Sequence, residues 1–333
     1  MRIAAQRVGK GRMTNAFTGF ILWFISSIAP TASEAEKVSL INIDGAIGPA
    51  TASYISRSIE EARSQNAQCL IIQLNTPGGL LDSTQKIVQS FLGSTVPVVV
   101  YVAPTGATAT SAGCFITIAA SVAAMAPATT IGAAHPVSIG GFPSGGEEKT
   151  DETMKQKLEN FSVSYIETIA GKRQRNVEWA KSAVKESASI TAEKALQLKV
   201  IDLIAADVSD LLQKLNGRVV DGKTLKTAGA EVSEIKMSAS EHVFQKLWRP
   251  EVMFILMLIA IYGIIGELTT PGAILPGVVG AIALVLALYL AAILPVNVTG
   301  LVLIALALML FIFDVYATTH GVLTIGGIVA FLI

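Results

Sequence analysis

Cysteine, histidine and net charge are all scarce in this sequence of 333 residues. Its two cysteines, Cys69 and Cys114, provide neither a disulfide framework nor a zinc site, and we expect both to be small buried thiols. The three histidines lie too far apart in the sequence for a metal cluster. Twenty-five basic and 25 acidic residues give a net charge of zero, which argues against nucleic acid as a partner.

Charged residues almost disappear at the C-terminal end of the chain. From Val252 to Ile333 only Glu267 and Asp314 are charged, which is the composition of membrane-spanning helices rather than of a soluble core. We therefore expect transmembrane helices within residues 251–333. Four apolar stretches supply them: Val252 to Gly266, Ala273 to Leu294, Leu301 to Phe313, and Gly321 to Ile333.

The two acidic residues of this region belong to a weak sequence repeat. Glu267 precedes Pro271-Gly272 and Gly277, and Asp314 precedes His320-Gly321 and Gly326. Two units of similar design, each a span followed by a turn, would explain the pattern. Chance is a rival explanation for so short a match.

The N-terminal residues 1–35 have the pattern of a secretory signal peptide. Four basic residues precede an apolar segment from Phe17 to Ile28, and Ser33 and Ala35 fit the small-x-small rule for cleavage. We expect the domain that follows to lie outside the cytoplasm. Whether the signal is cleaved stays open.

Residues 36–235 alternate between short apolar runs and segments with helical spacing. The runs are strand-like and lie at Val38–Ile43, Cys69–Leu74, Pro97–Val102 and Ser121–Met125. Strands that alternate with helices predict an α/β domain with a mostly parallel sheet. Asp221-Gly222 predicts the turn of a small hairpin between Arg218 and Val232. Residues 236–250 form a linker, in which Ser238 to Trp248 is predicted to be an amphipathic helix with Trp248 at the membrane surface.

Ser111 is the candidate nucleophile. It lies among small residues at the start of a predicted helix, Thr110–Ala120, and a second turn, Pro77-Gly78-Gly79, follows a neighbouring strand. The carboxyl ends of parallel strands meet at one edge of the sheet, where α/β folds place their clefts. Acyl transfer needs a nucleophile and N–H donors for the oxyanion, and this edge offers both.

Two residues are candidates for the base that takes the serine proton. His135 follows Ser111 by 24 residues. Lys157 lies at the margin of the apolar stripe of a helix predicted over Thr153–Ala170, and we expect it to face the interior, while Lys155 faces water. A lysine in a desolvated place can act as a base. The residues alone leave both alternatives open.

Several long motifs resemble one known family. LNTPGGLLDST, APTGATATSAG, AAMAPATTIGAAHPV and SITAEKALQLKVIDLI are similar to segments of the NfeD family of membrane-bound serine proteases, within the Clp-protease and crotonase-like superfamily. GELTTPGAILPGVVGAIALVLALY and PVNVTGLVLI extend the resemblance into the apolar region. The resemblance implies a Clp-protease/crotonase-like domain of repeated βαβ units at 36–235, followed by an α-helical transmembrane bundle at 251–333.

The resemblance also implies roles for individual residues. Ser111 of the S-A-G motif is the nucleophile, Lys157 is the base of a Ser–Lys dyad, and the N–H groups of Gly79 and Ala112 are the oxyanion donors. His135 stays an alternative base, because Clp-type proteases use a histidine at about this distance from the serine. Gln174 departs from the family pattern, which usually has glycine before Arg175-Asn176.

The implied function is a serine endopeptidase that cleaves apolar segments of membrane-associated proteins and needs no cofactor or metal. Expected partners are a polypeptide substrate, the lipid bilayer, a stomatin-like membrane protein and further copies of the chain, as a homodimer or larger assembly. We expect a multi-pass protein of the inner membrane with a periplasmic or extracellular protease domain, lacking the C-terminal β-barrel domain of longer members. The alternatives are an inactive membrane scaffold and a crotonase-like enzyme acting on a thioester.

Overall fold

The computed structural model describes residues 36–136, 148–247, 250–270, 274–293, 303–304, 306–307, 309–311, 313–314 and 321–332. The predicted signal peptide, residues 1–35, and the predicted interfacial Trp248 lie outside these ranges.

Eleven strands and eleven helices have defined bounds within the described ranges. In chain order they are β1 (Lys37–Asp44), α1 (Pro49–Ser64), β2 (Leu70–Asn75), α2 (Leu81–Leu92), β3 (Val98–Val102), β4 (Thr108–Thr110), α3 (Ala112–Ala119), β5 (Val122–Met125), β6 (Thr130–Gly132), α4 (Glu148–Lys172), α5 (Val177–Lys185), β7 (Ser189–Thr191), α6 (Ala192–Gln197), β8 (Leu203–Ile204), α7 (Val208–Leu215), β9 (Val219–Val220), β10 (Lys223–Thr224), β11 (Glu231–Glu234), α8 (Ala239–Leu247), α9 (Pro250–Thr269), α10 (Ile274–Ile293) and α11 (Val322–Leu332).

A six-stranded parallel sheet in the order β11-β1-β2-β3-β5-β8 forms the centre of the α/β domain. The apolar runs LIIQLN and VVVYV pair as β2 and β3, and β3 is buried along its whole length. Strands buried on both faces carry near-continuous apolar sequence, because helices cover each side. The parallel α/β architecture predicted from the sequence is therefore confirmed.

A second sheet of three short strands, β4-β6-β7, stands beside the first. It corrects one boundary, because Thr108–Thr110 is a strand and the following helix begins at Ala112 rather than at Thr110. The predicted turn at Asp221-Gly222 is confirmed as the connection between β9 and β10. The hairpin is shorter than expected, since Glu231–Glu234 pairs in parallel with β1 instead.

Both cysteines are fully buried, as the sequence predicted. Burial raises the pKa of the Cys69 thiol to about 12 and raises that of Cys114 as well. A thiol that keeps its proton is a poor nucleophile, so neither cysteine competes with Ser111 for the role.

One of the described helices is long and apolar enough to cross a membrane. It spans Val252–Thr269 within α9, with a mean hydropathy of 2.2. Ile274–Leu290 and Val322–Phe331 form shorter apolar helices.

The two acidic residues of this apolar region each accept a hydrogen bond near the start of a following helix. Glu267 accepts a hydrogen bond from the backbone N–H of Gly277, near the start of α10, at 2.9 Å. Asp314 accepts one from the hydroxyl of Thr324, near the start of α11. Each carboxylate lies ten residues before its partner, and a carboxylate near the positive end of a helix is stabilising.

The helix crossings repeat in the same register. An added Cβ at Gly280 would lie 3.1 Å from the carbonyl oxygen of Ala260, and one at Gly327 would lie 3.1 Å from that of Ala307. Gly327 lies 47 residues after Gly280, and Ala307 lies 47 residues after Ala260. The same 47 residues separate Glu267 from Asp314. Small residues allow such close approach between helices in membranes. Among the described residues, the weak sequence repeat thus corresponds to two helix pairs with equivalent contacts, although the position of Gly277 corresponds to Thr324 and not to Gly326.

Candidate active site

Ser111 occupies a strained position between β4 and α3. Its backbone has φ +53° and ψ −112°, a left-handed conformation that is uncommon for residues other than glycine. The chain is held on both sides: the Ser111 N–H donates to the carbonyl of Gly132 at 3.0 Å, and its own carbonyl accepts from Cys114 N–H at 3.0 Å. The hydroxyl does not cap the helix, so it is available for chemistry.

The turn after β2 lies directly against this serine. A Cβ at Gly78 would come within 2.9 Å of Ser111 Cβ and 3.3 Å of Ser111 Oγ, and φ of Gly78 is +135°. A Cβ at Gly79 would lie 2.1 Å from the carbonyl oxygen of Ile47. Ile47 also fixes the turn, since its N–H donates to Gly78 and its carbonyl accepts from Leu80. Both glycines are therefore required by close backbone approach.

Two backbone N–H groups beside Ser111 make no hydrogen bond to any residue that the structure describes. They belong to Gly79 and to Ala112, the first residue of α3. The first N–H groups of a helix have no partner within it and form its positive end. Unpaired donors of this kind can stabilise negative charge that develops on a substrate oxygen.

Two arginines fix the far end of α3. Arg175 is almost fully buried and donates to the carbonyls of Ile118 and, at 2.9 Å, Ala120, and it pairs with Asp202 at 2.6 Å. Arg173 donates to the carbonyl of Ala119 at 2.8 Å. Positive charge at a helix C-terminus satisfies its free carbonyls and favours the helix dipole. Sequence reasoning gave these residues no role, although the basic run GKRQRN between α4 and α5 was a visible signal.

Gln174 explains the departure from the family pattern. It has φ +55° at the end of α4, where the N–H of Arg175 donates to Ala170 and that of Gln174 donates to Gly171. This is a Schellman motif with Gln174 at the left-handed position that glycine usually fills. The conformation is kept here without glycine.

His135 lies on the extended segment that follows β6. Its Nδ1 donates to the carbonyl of Val184 at 2.9 Å, which leaves Nε2 of the neutral ring as an acceptor. The segment is anchored by the N–H groups of Ala133 and Ala134, which donate to Ala188 and Ala183. It begins at Gly132, whose carbonyl accepts from Ser111, so the histidine is three residues from a direct neighbour of the serine.

Lys157 does not face the interior, contrary to expectation. It is exposed, as is Lys155, and residues 152–157 at the N-terminal part of α4 are all exposed. The same helix packs against α3 further along, where Tyr165 stacks on Phe115 with ring centroids 6.1 Å apart. The structure brings Ser111, Gly78, Gly79 and Ala112 together, whereas Lys157 bonds to none of the described residues.

Within the described ranges no group of three or more His, Cys, Asp or Glu residues is placed to hold a metal ion.

Two family models together match almost the whole chain from residue 37 onwards. One, described as the N-terminal domain of NfeD1b, matches residues 37–236. The other, described as the NfeD integral membrane domain, matches residues 251–333. Among curated proteins, the membrane-bound protease PH1510 of Pyrococcus horikoshii is 34% identical over 302 residues, covering 89% of this chain and 67% of the relative.

Two solved structures are similar to the α/β domain. Both are variants of a protein called 1510-N membrane-bound stomatin-specific protease. A serine-to-alanine mutant has a TM-score of 0.56 at 34% identity and covers 61% of this chain and 99% of its own. A lysine-to-alanine mutant in complex with a substrate peptide has a TM-score of 0.58 at 33% identity and covers 64% and 98%. The predicted Clp-protease-like α/β fold is thereby confirmed.

Proposed function

This chain belongs to the NfeD family, and on that basis we propose that it is a membrane-bound serine endopeptidase with Ser111 as nucleophile and Lys157 as base. Its substrates are apolar peptide segments of membrane-associated proteins. The N–H groups of Gly79 and Ala112 hold the oxyanion. The reaction needs no cofactor or metal.

The observation that carries this proposal is the surrounding of Ser111. A serine in a strained left-handed conformation, at the head of a buried helix, lies against a glycine turn that only a side-chain-free residue can form. Two N–H groups that bond to no residue within the described ranges flank it. Backbone strain and unpaired donors lower the stability of a fold, so they persist mainly where function requires them. Together they are the parts that acyl transfer requires.

The first half of the reaction forms an acyl-enzyme. The Ser111 hydroxyl gives its proton to the Lys157 amine while Oγ attacks the carbonyl carbon of the scissile peptide bond. The carbonyl oxygen becomes an oxyanion bound by the N–H groups of Gly79 and Ala112. The C–N bond then breaks, and the proton on Lys157 passes to the leaving amine. An ester joins Ser111 to the acyl part of the substrate.

The second half hydrolyses this ester. Lys157 takes a proton from water, and the hydroxide equivalent attacks the ester carbonyl, which passes through the same oxyanion site. The C–Oγ bond breaks, the proton returns to Ser111 Oγ, and the carboxylic acid product leaves. The balance is one water consumed and one peptide bond cleaved.

Lys157 has to be covered in the working enzyme. A lysine amine acts as a base when burial disfavours its charged form, and Lys157 is exposed in the single chain. We propose that bound substrate or a second copy of the chain covers the N-terminal turns of α4. Exposed Met154 and Phe161 on this helix offer apolar surface for such a cover. This agrees with the proposed homodimer or larger assembly.

His135 is the second candidate base. Its Nδ1 is already bonded to a backbone carbonyl, which orients the ring and leaves Nε2 free to accept a proton. The membrane-bound relatives favour the lysine, because one solved variant bound to a substrate peptide is a lysine-to-alanine mutant and another is a serine-to-alanine mutant. The name of these relatives, stomatin-specific protease, also supports a stomatin-like membrane protein as the partner that supplies the substrate segment.

The test uses the purified full chain in lipid vesicles. A fluorophosphonate probe that labels active-site serines is combined with a panel of fluorogenic apolar peptides. Ser111→Ala should abolish labelling and cleavage. Lys157→Ala should lower cleavage by at least a hundredfold, whereas Lys155→Ala, an equally exposed lysine on the same helix, should leave it within twofold.

Two other outcomes are informative. If His135→Ala is inactive while Lys157→Ala retains the wild-type rate, the base is the histidine. If the wild-type protein neither reacts with the probe nor cleaves any peptide, the chain is the inactive scaffold for a stomatin-like partner.

We also propose a multi-pass topology in the inner membrane with the α/β domain on the periplasmic or extracellular side. The basic N-terminal segment and the apolar run after it support this orientation. A cysteine introduced at exposed Arg218 should react with a membrane-impermeant maleimide in intact cells. Labelling only after lysis would place the domain in the cytoplasm and would revive a thioester-acting crotonase-like enzyme.

A further inference from the structure

The helix α8 occupies the short stretch between the two family-model matches, which end at residue 236 and begin again at residue 251. It spans Ala239–Leu247, and α9, which contains the candidate membrane span, begins at Pro250. Whatever holds α8 therefore sets how the α/β domain is attached to the membrane region.

Arg57 and Glu241 hold α8 against α1. Glu241 accepts from Arg57 Nε at 2.9 Å and from Nη2 at 2.8 Å, so the pairing is bidentate. The Glu241 side chain is only 9% exposed. The two residues are 184 positions apart in sequence, so the contact exists only because the linker folds back on the domain. We name this pair the clasp.

Arg57 and Tyr54 make further contacts around the clasp. Arg57 Nη1 pairs with Glu61 on the same helix at 3.2 Å. Arg57 Nη2 donates to the carbonyl of Lys236 at 2.8 Å, and its guanidinium lies 5.5 Å from the centre of the Tyr54 ring. The Tyr54 hydroxyl donates to the carbonyl of Ile235. One arginine and one tyrosine on α1 thus bind the chain at 235 and 236 as well as the helix that follows. A bidentate arginine with these extra bonds fixes orientation, not only proximity.

Glu241 has a second role within α8. Its carboxylate accepts from the Ser238 N–H at 2.8 Å, and its own N–H donates to Ser238 Oγ at 3.3 Å. This reciprocal pair is a capping box, which defines the first turn of a helix. The residue that caps α8 is therefore the same residue that docks it on α1. If α8 left α1, Glu241 would lose both bonds from Arg57, and Arg57 would keep its ion pair with Glu61 on its own helix.

The segment just before the helix that carries Arg57 is bonded to the glycine turn beside Ser111. The α1 helix follows Gly48, and the preceding Ile47 is bonded through its backbone to Gly78 and Leu80 of the glycine turn. The α8 helix in turn contacts α9. Two short, hydrogen-bonded steps therefore connect the membrane helix to the turn beside Ser111.

We propose that the Arg57–Glu241 clasp is a positioning device that sets the height of the active site above the membrane and so selects peptide bonds close to the bilayer surface. This proposal rests on the proposed peptidase function. A free peptide reaches Ser111 from solution whatever the height of the domain. A peptide anchored in the same bilayer reaches it only when the domain is held at the matching distance.

The experiment compares one apolar fluorogenic peptide in two forms, free in solution and joined by a short spacer to a lipid anchor, on the full chain in lipid vesicles. Arg57→Ala and Glu241→Gln should cleave the free peptide within twofold of wild type. Both should cleave the anchored form at least fivefold more slowly. The matched control is Arg63→Ala, which removes an exposed arginine from the same helix, 60% exposed and paired with an equally exposed Glu60.

A charge exchange provides the second variant. Arg57→Glu combined with Glu241→Arg rebuilds an ion pair in the reverse direction and should recover part of the anchored rate that either exchange alone loses. Equal effects on the free and anchored peptides would overturn the proposal, because a merely structural defect lowers both. So would an anchored rate that stays at the wild-type value in both single variants.

A distance measurement tests the clasp without any cleavage. Because both native cysteines are buried, a dye on Arg218→Cys labels the α/β domain at one site, and energy transfer to acceptor lipids reports its height. All proteins compared carry the labelled Arg218→Cys. Adding Arg63→Ala should leave the transfer efficiency unchanged, and adding Arg57→Ala should change it. If Arg57→Ala leaves the transfer efficiency unchanged, the clasp does not set the height of the domain. If the wild-type protein cleaves neither peptide, the proposed peptidase function is wrong instead.

Discussion

Gly78 lies so close to Ser111 that a Cβ on the glycine would stand 2.9 Å from Ser111 Cβ and 3.3 Å from Ser111 Oγ. The two residues are 33 positions apart in sequence, and each is held in a left-handed backbone conformation. The serine is strained in this conformation, whereas glycine adopts it without strain. Backbone hydrogen bonds hold both residues: the Ile47 N–H donates to the carbonyl of Gly78, and the Ser111 N–H donates to the carbonyl of Gly132.

Replacing Gly78 with alanine should remove activity while leaving the fold in place. The new methyl group meets Ser111 Cβ at 2.9 Å, which displaces either the nucleophile or the turn. Misplacement of about 1 Å, or loss of one oxyanion donor, costs roughly 10² to 10³ in rate. The measurement is cleavage of the fluorogenic peptide. Gly45→Ala is the matched control, because Gly45 has φ +120° but open space around it; equal losses in the two variants would point to backbone strain alone.

Gln174→Gly should stabilise the protein. Gln174 has φ +55° at the Schellman position, and this left-handed conformation costs a residue other than glycine about 1–2 kcal/mol. Glycine avoids the cost but loses more conformational entropy on folding, which cancels part of the gain. We expect a net gain of about 1 kcal/mol and a rise in melting temperature of about 2–4 °C for a domain of this size. Thermal unfolding followed by circular dichroism measures it. A lower melting temperature would mean that the glutamine side chain contributes more than its strain costs.

Arg175→Met should strongly destabilise the α/β domain. Its removal leaves the carbonyls at the end of α3 and the carboxylate of Asp202 without their partner. Removing one member of a buried ion pair costs about 3–5 kcal/mol. Because the Asp202 side chain is 34% exposed and still accepts from the Ala123 N–H, we expect the lower end of that range. Urea unfolding should show this loss, while Arg63→Met, at an exposed ion pair on α1, should change stability by less than about 0.5 kcal/mol. A small effect at Arg175 would show that α3 does not depend on its C-terminal contacts.

Acid should weaken the protein partly through Glu241. The Arg57 guanidinium lowers the pKa of this carboxyl, against the opposing effect of its burial. The folded state therefore binds this proton less readily than the unfolded state, so its contribution is present above the ordinary glutamate pKa of about 4.3 and is lost as the pH falls through the lowered value. Melting temperatures between pH 6 and pH 3 should fall less steeply in Glu241→Gln than in wild type. Parallel slopes would show that the clasp carries no acid dependence.

Glu267 and Asp314 should each stabilise only the start of the helix to which they bond. Glu267→Ala removes the acceptor of the Gly277 N–H and should raise hydrogen exchange at the start of α10 about tenfold, which corresponds to about 1.4 kcal/mol. Asp314→Ala should do the same at the start of α11. Each variant is the control for the other in detergent micelles. If either variant raised hydrogen exchange at the starts of both α10 and α11, the two helix starts would not be stabilised independently.

Much of the fold follows from local sequence. The runs LIIQLN and VVVYV are strands because β-branched and apolar residues of this length suit a sheet covered on both sides. Ser111 and the Gly78-Gly79 turn could be selected because glycines and small residues mark where backbones approach each other. The shortage of charge after Val252 was enough to predict membrane helices.

Helical periodicity did not decide where Lys157 points. Its angle to the apolar stripe of α4 favoured the interior, but the first turns of that helix extend beyond the elements it packs against, so both faces are exposed. A periodic pattern states which face of a helix is apolar and not whether anything covers it. The base of the proposed reaction therefore depends on what covers these turns, which one chain's sequence does not state.

The sequence by itself determined the parallel α/β domain, the apolar helices and the serine beside a glycine turn, because residue type and spacing act within a few positions of the chain. Only the tertiary structure decided that Gly78 faces Ser111, that Arg175 holds the far end of α3, and that Arg57 and Glu241 join across 184 positions. Such contacts arise from how whole elements pack, and burial then makes each of them strong. Packing gives Ser111 a strained backbone and places beside it two N–H groups that bond to none of the described residues.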